Sequence, residues 1–504
     1  MEIVLAYHER TKHHFERYAA GPGFMDWATQ PNPFRRYEGA PLVRMPIPAE
    51  GDDLAYWRLF IPSSEAGATT PAPLCVASLS LFFRYALSLT AWKSYEGTTW
   101  SLRANPSSGN LHPTEGYALL PAIDRLHDAP GIHHYAPKEH GLERRADLAT
   151  VDWATRMRTF PAGSFLVGLS SIHWREAWKY GERAFRYCQH DVGHALGALR
   201  FAAAANGWGL KLIGDAGDSV VSTLLGLGSC EGAPNAEREH PDLLAVVTPG
   251  RCDASKPDWD AESAARVFAA AEWRGIANVL SPSHSHEWPV IDEVADATAT
   301  LGARIDEDLS GFPDEKDLYG VPVRASARSA ERVILGRRSA VALDGRTSID
   351  AATFYRMLAR VVPVDGPARA PWDAIPWRPR IHLGLFVHRV DGLTPGLYAL
   401  VRDPSKVDAL RTGMNPAFLW RRPDAAPPGL QLFLLREGDP RALATRVSCG
   451  QSIAGDGAFS LAMIADYLGA LVTYGPGFYR RLFWEAGFVG QVLTPELQHP
   501  APVA

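Results

Sequence analysis

Cysteine is scarce in this 504-residue chain and poorly placed for cross-linking. Its five residues, at positions 75, 188, 230, 252 and 449, are odd in number and form no C-x-x-C pair. That excludes a disulfide framework and a thiolate zinc site, and it points to a reducing compartment. Long apolar runs are also missing. No stretch approaches the ~18 uninterrupted residues of a spanning helix, and the window LFFRYALSL is broken by Arg84. The opening residues, MEIVLAYHERTKHHFERY, contain no apolar segment of the kind found in secretory signals. Charge of one sign is lacking too: the net charge is −5 and there is no long basic run. Nucleic acid and anionic membrane surfaces are therefore poor candidates as partners. What remains is 46% hydrophobic and 21% charged, the composition of an ordinary globular protein long enough for two to four domains. A cytoplasmic location is the expectation.

Three local matches recur in the same order in the two halves of the chain. FFRYALSL (82–89) matches FYRMLARV (354–361), and Pro130-Gly131-Ile132 matches Pro395-Gly396-Leu397. YGERAFRYCQHDVGH (180–194) matches YGPGFYRRLFWEAGF (474–488) without a gap, aligning Tyr180 with Tyr474, Arg186 with Arg480 and Gly193 with Gly487. Three ordered matches imply a duplication. The second copy lacks the segment PSSGNLHP of the first. After its last match it has only VGQVLTPELQHPAPVA, where Pro495, Pro500 and Pro502 are expected to stop any helix. The expected organisation is an N-terminal extension (1–69), a first domain (70–252), a structured connector (253–330) and a second, shorter domain (331–504).

Strands are expected over 117–124 and 382–390, short apolar runs followed by turn residues. His133-His134 is expected to end a strand. The connector is expected to hold a helix over DAESAARVFAAAEWRG, and SPSHSHEWP, with His284 and His286, is expected to be a solvated loop. A helix is expected over 182–205. There Phe185, Cys188, Val192, Leu196, Leu199 and Ala203 recur at helical spacing, and Asn206-Gly207 supplies the stop. Helices around a small sheet make an α+β fold.

Three stretches carry chemistry. Pro106-Ser107-Ser108-Gly109 places two hydroxyls and pliant backbone in one turn, which suits the polar edge of a planar heteroaromatic ring; alone it reads equally as an ordinary turn. Lys179 and Tyr180 are adjacent titratable groups ahead of the amphipathic helix. They are able to take and relay a proton, although a surface lysine beside a packed tyrosine looks the same. Thr473-Tyr474 stands at the equivalent place, so the lysine belongs to the first copy alone. Arg337, Arg338 and Ser339, before an Asp-Gly turn, suit a phosphate; a solvated charged turn is the plainer reading.

Taken together, these stretches resemble the nitroreductase-like FMN flavoproteins, and within them the SagB-type thiazoline/oxazoline dehydrogenases. Arg337-Arg338-Ser339 is similar to that family's phosphate-binding start. Pro106-Ser107-Ser108-Gly109-Asn110-Leu111-His112-Pro113 is similar to its flavin-ring loop. Lys179-Tyr180 with Glu182-Arg183-Ala184-Phe185-Arg186-Tyr187 is similar to the segment whose Lys and Tyr are catalytic. The resemblance covers roughly 70–250 and 330–492.

It implies an α+β fold of two nitroreductase-like domains, each a central sheet flanked by helices. In the family the flavin lies between two subunits, one giving the phosphate grip and the other the ring loop. Here the first copy has the loop and the second has the Arg-Arg-Ser. The first copy's nearest counterparts to that grip are Arg10-Thr11-Lys12 and Phe34-Arg35-Arg36-Tyr37. The halves are therefore expected to form an intramolecular pseudo-dimer with one composite FMN site, and a homodimer of it is conceivable. Pro106, Ser107, Ser108, Gly109 and Asn110 would meet the ring, and Arg337, Arg338 and Ser339 the phosphate. The implied reaction is oxidation of a C–N bond, such as an azoline in a peptide or small metabolite, with hydride passing to FMN and a proton to Lys179/Tyr180. Two departures stand out. Val341 replaces a further arginine of the grip. The segment that completes the family's pocket, Gly207-Trp208-Gly209-Leu210-Lys211 in the first copy, is absent from the second.

Other readings survive at this stage: an NAD(P)H-dependent nitro- or quinone reductase, or a degenerate binding or scaffold protein. His190-Asp191-Val192-Gly193-His194 also mimics a zinc-protease helix, but Asp is short for the required Glu and no third ligand is near. Both histidines lie opposite the apolar stripe, facing outward or toward the other half, so no metal is expected.

Overall fold

A computed structural model of the chain describes residues 1–48, 54–61, 68–228, 236–250, 259–302, 305, 307–319, 328–365 and 369–496. Cys230, Cys252, Pro500, Pro502 and the expected 252/253 boundary lie outside them. Cys75, Cys188 and Cys449 are free thiols. Among the described residues no helix is long and apolar enough to cross a membrane.

The duplication inferred from short matches is present as repeated topology. In the first half, four antiparallel strands lie side by side in the order Gly141–Asp147, Gly131–Ala136, Thr114–Leu120, Phe165–Ser171. In the second half, Leu432–Glu437, Gly396–Leu400, Ile381–Val387 and Phe459–Ala465 take the same order. Each set leads into an eight-residue helix, His173–Tyr180 or Tyr467–Tyr474. A long helix follows, Ala184–Ala205 or Phe478–Glu496. The fold is α+β, as expected. Thr114–Leu120 and Ile381–Val387 are buried along their whole length, including the polar Thr114, Glu115 and His382.

The first sheet is wider. His240–Pro249 and then Trp208–Leu212 extend it beyond Phe165–Ser171. Its other edge is completed by Leu42–Arg44 and Glu272–Trp273, both paired with Gly141–Asp147.

The halves meet along their long helices, and glycine sets how closely. A Cβ on Gly193 would lie 2.1 Å from the carbonyl oxygen of Trp484, and one on Gly487 would lie 2.0 Å from that of His190. His190 and Trp484 are themselves equivalent in the repeat, so the contact maps onto itself, as an isologous dimer interface does. Phe185 and its counterpart Tyr479 stack across the same axis, 6.4 Å apart and 6° from parallel. Gly193→Ala is expected to force the helices apart. Because the obstacle is backbone, the loss of stability should reach about 3 kcal/mol, the upper end of overpacking costs, read as a lowered urea midpoint.

Several local expectations need correction. The strand placed over 117–124 is Thr114–Leu120, because Pro121 ends its pairing. The strand over 382–390 is Ile381–Val387, with Val390–Asp391 a separate short strand. His133-His134 lies inside Gly131–Ala136 rather than at its end, since His134 bonds to Glu115 at 3.0 Å and to Glu143 at 2.8 Å. Those carboxylates raise His134 to about 9. The connector helix covers only Ala261–Phe268, and Glu272–Trp273 joins the sheet instead. The helix runs one residue past Pro495, to Glu496, the last of the described residues.

Candidate functional site

A hairpin, Leu89–Tyr95 with Thr98–Arg103, delivers the chain to the Pro106–Asn110 loop, ahead of the central strand Thr114–Leu120. The loop uses left-handed backbone: φ is 59° at Gly109, 61° at Asn110 and 51° at His112. Such conformations persist in non-glycine residues only where surrounding bonds enforce them. Here the Ser107 hydroxyl accepts from His112 N at 2.8 Å, and Asn110 Nδ2 donates to the Ser101 carbonyl at 2.8 Å. Asp191 accepts from Ser108 N at 3.2 Å and from the Ser108 hydroxyl at 3.3 Å. The two serine hydroxyls therefore brace the loop.

The helix His173–Tyr180 brings Lys179 and Tyr180 against this loop. A Cβ on Gly109 would stand 2.7 Å from Tyr180 Oη and 3.1 Å from Lys179 Nζ, so a larger residue there would have to displace the end of one of these side chains. Both side chains are half-buried. Burial, with Glu176 nearby, raises the Tyr180 phenol and keeps it protonated at neutral pH.

The second half supplies Arg337. Its helix Ala330–Gly336 is capped by Ser329 and pinned to the first half by the Arg84–Glu331 ion pair at 2.7 Å. Arg337 is buried and donates to the Arg103 carbonyl at 3.1 Å, at the base of the loop. Arg338, exposed, donates to the Thr90 carbonyl at 3.4 Å; Ser339 is exposed beside it. Pro106–Asn110, Lys179, Tyr180 and the Arg337–Ser339 segment thus gather in one region between the halves.

The first copy's counterparts of the Arg-Arg-Ser segment are engaged elsewhere. Arg10 pairs with Glu182, Arg35 donates to the Glu237 carbonyl at 2.7 Å, and Arg36 pairs with Glu143 at 2.6 Å and Glu139 at 2.5 Å. Trp208–Leu212, which contains most of the Gly207–Lys211 segment, is an edge strand packed against Trp372–Ala374 of the second half.

The region has polar capacity left over. Arg103 Nε, Asn105 Oδ1, His112 Nδ1, Thr114 Oγ1 and Arg337 Nε are buried without a hydrogen-bond partner. Such groups are costly unless something polar meets them. The donors among them include two guanidinium groups, and burial lowers both arginines. An anionic, hydrogen-bonding ligand fits that set.

Two acids of the site went unrecognised in the sequence. Asp191 was read only as a failed zinc-protease glutamate. It is buried, and burial raises it to about 7. The available signal was the repeat itself, which aligns Asp191 with Glu485. Glu485 instead holds the start of the strand Ile381–Val387, accepting from Arg380 N at 3.0 Å and Ile381 N at 3.1 Å, and it also pairs with Arg402 at 2.5 Å. Asp191 has no such cation. Glu176, one helical turn before Lys179 and Tyr180, is fully buried with neither carboxyl oxygen bonded. Burial and Asp191 push it well above the usual carboxylate range.

The zinc motif dissolves in the fold. His190 donates to the Arg186 carbonyl at 2.8 Å and packs edge-on against Phe483, while His194 meets Gln491 at 3.2 Å. Both face the other half, one of the two directions expected. Among the described residues no cluster of three or more His, Cys, Asp or Glu could hold a metal ion. His284 and His286 are exposed, and His284 stacks on Trp174 at 4.0 Å.

No family model matches the chain. It is 25% identical over 146 residues to a Methanocaldococcus jannaschii protein that bears the name nitroreductase, covering 28% of this chain and 68% of that one. The crystal structure of a protein from Anabaena variabilis, also named as a nitroreductase, superposes with a TM-score of 0.63 at 20% identity, covering 98% of this chain and 91% of that one. A structure from Ralstonia eutropha with the same name covers 43% of this chain and 94% of its own, with a TM-score of 0.29 at 16% identity. The Escherichia coli microcin synthetase McbBCD complex with bound pro-peptide covers 48% and 85%, with a TM-score of 0.26 at 16% identity. The repeated strand order, the self-matching helix seam and the full-length superposition together establish that this chain has a nitroreductase-like fold, with both halves of the pair in one polypeptide.

Proposed function

We propose that this protein is an FMN-dependent oxidoreductase that dehydrogenates a carbon–nitrogen bond, such as that of an azoline in a peptide or a small metabolite. The observation that carries this reading is that Lys179 and Tyr180 lie against Gly109 of the loop in one half, while Arg337 of the other half bonds to the Arg103 carbonyl on the hairpin that leads into that loop. The azoline preference rests on PSSGNLHP and YGERAFRY occurring together.

Arg337, Arg338 and Ser339 would hold the phosphate by charged hydrogen bonds, and Pro106, Ser107, Ser108, Gly109 and Asn110 would line the polar edge of the ring. When bound, FMN supplies hydride-accepting chemistry, and the protein supplies position and proton handling. Lys179 Nζ, beside Gly109, would take the proton that leaves with substrate oxidation. Tyr180 Oη, kept protonated by its surroundings, donates a hydrogen bond beside it.

The test is flavin uptake. Purified protein is expected to be yellow, or to quench added FMN fluorescence with one site per chain, and Arg338→Ala with Ser339→Ala should weaken binding by at least about tenfold. A colourless protein that takes up no FMN, or a double variant that holds flavin as tightly as the parent, would overturn the reading.

A further inference from the structure

A second pocket lies on another part of the seam between the halves. It encloses about 210 Å³ and is walled by Phe185 and Gln189 of one long helix, Arg480 of the other, and His173, Asp218 and Arg238 of the first half. At ~30 Å³ per water it holds about seven, which is small for a drug-sized ligand and adequate for a small metabolite.

Its walls present unused donors. Arg480 is 4% exposed; it pairs with Asp218 at 2.5 Å and donates to the Pro241 carbonyl at 3.2 Å, while its Nε has no partner. His173 is 6% exposed, and both of its ring nitrogens are unpartnered. It is held face to face on His240 at 4.0 Å, which fixes the ring plane. Arg238 lies exposed on the wall. Two of the carboxylates in the same walls are occupied. Asp218 takes Arg480 and Thr300 N, and Asp242 accepts from Ser171 at 2.6 Å and Gln189 at 2.9 Å. Asp296 is exposed. Of the groups left to meet a ligand, the buried ones are Arg480 Nε, a donor, and His173, whose ring when neutral offers one donor and one acceptor nitrogen; Arg238 and Asp296 are both exposed, and a buried donor without an acceptor is costly.

We propose that this pocket is a binding site for a small anion with a carboxylate or phosphate head, held by Arg480 Nε, His173 and Arg238 and bridging the two halves. The site is independent of the flavin reading, because it shares no residue with the Arg337–Ser339 segment or the Ser107–Asn110 loop.

The experiment is thermal unfolding and isothermal titration of the full chain with sodium acetate, sodium succinate or inorganic phosphate, each against chloride at equal ionic strength. It is run in the Arg338→Ala, Ser339→Ala background, so that phosphate uptake at the candidate flavin site is suppressed. One of these anions is expected to saturate a single site and raise the melting temperature. A carboxylate or a phosphate response identifies the head group. His173→Phe keeps the stack on His240 but removes the ring nitrogens, and Arg238→Gln alters only an exposed residue. Each should weaken binding by at least about tenfold. The proposal fails if no anion exceeds the chloride control. It fails equally if binding is unchanged in Arg238→Gln together with a folded His173 variant.

Discussion

Under the proposed function, Lys179→Ala is expected to keep its fold and to take up FMN as the parent does, while losing turnover by about 10²–10⁴-fold, the range for removal of a positioned acid or base. Lys179 is half-buried at the end of a short helix, and its amine sits against Gly109 rather than in the apolar core. Its removal therefore opens no large cavity. Lys179→Arg separates proton transfer from charge. A guanidinium keeps the cation but does not give up a proton in proteins, so Lys179→Arg should be almost as inactive as Lys179→Ala. The measurement is anaerobic bleaching of the flavin band on mixing with an azoline-containing dipeptide. Normal bleaching in either variant would remove Lys179 from the mechanism, and loss of flavin from Lys179→Ala would make it a binding residue instead.

Asp191→Asn and Glu485→Gln are expected to change stability in opposite directions above neutral pH, although the two acids occupy the same place in the two halves. The Asp191 carboxyl is raised from 3.8 to about 7. The folded state thus binds this proton more tightly than the unfolded chain does. The resulting stabilisation is complete below pH ~4 and is lost as the pH rises through about 7. At roughly 1.4 kcal/mol per unit, charged Asp191 then costs a few kcal/mol at pH 8. Asparagine keeps a carbonyl for Ser108 N without the charge, so Asp191→Asn should be more stable than the parent at pH 8 and little changed at pH 4. Glu485→Gln strips Arg402, itself fully buried, of its counter-ion and should lose about 3–5 kcal/mol. Urea midpoints at the two pH values decide this. Destabilisation by both variants at pH 8 would mean that Asp191 is not an uncompensated charge.

The physical content of these contrasts was only partly legible in the sequence. Elements that depend on local spacing could be read directly. The apolar period of 182–205, the stop at Asn206-Gly207 and the alignment of Gly193 with Gly487 are short-range patterns, and the chain carries them wherever it folds. Boundaries were less secure, because a strand ends where its partner ends: Thr114–Leu120 stops at Pro121, and Glu272–Trp273 is a strand only because Gly141–Asp147 offers an edge. Motif chemistry was legible as residue type. Pro106–Asn110 and Lys179-Tyr180 were singled out as separate stretches, 70 residues apart, and their contact belongs to the fold.

The sequence by itself determined that there are two copies, that the lysine and the Ser-Ser-Gly turn belong to the first, and that the Arg-Arg-Ser segment belongs to the second. Only the tertiary structure decided which charges meet. Asp191 reaches Ser108 across 83 residues and Arg337 reaches the Arg103 carbonyl across 234. The repeat places an acid at 191 and at 485 alike. The difference between them is whether a buried arginine arrives opposite, as Arg402, just past the strand Gly396–Leu400, does beside Glu485, while among the described residues no ion pair reaches Asp191. Periodicity fixes which face a side chain takes. The state of a buried charge is set by whatever distant chain fills the space opposite it.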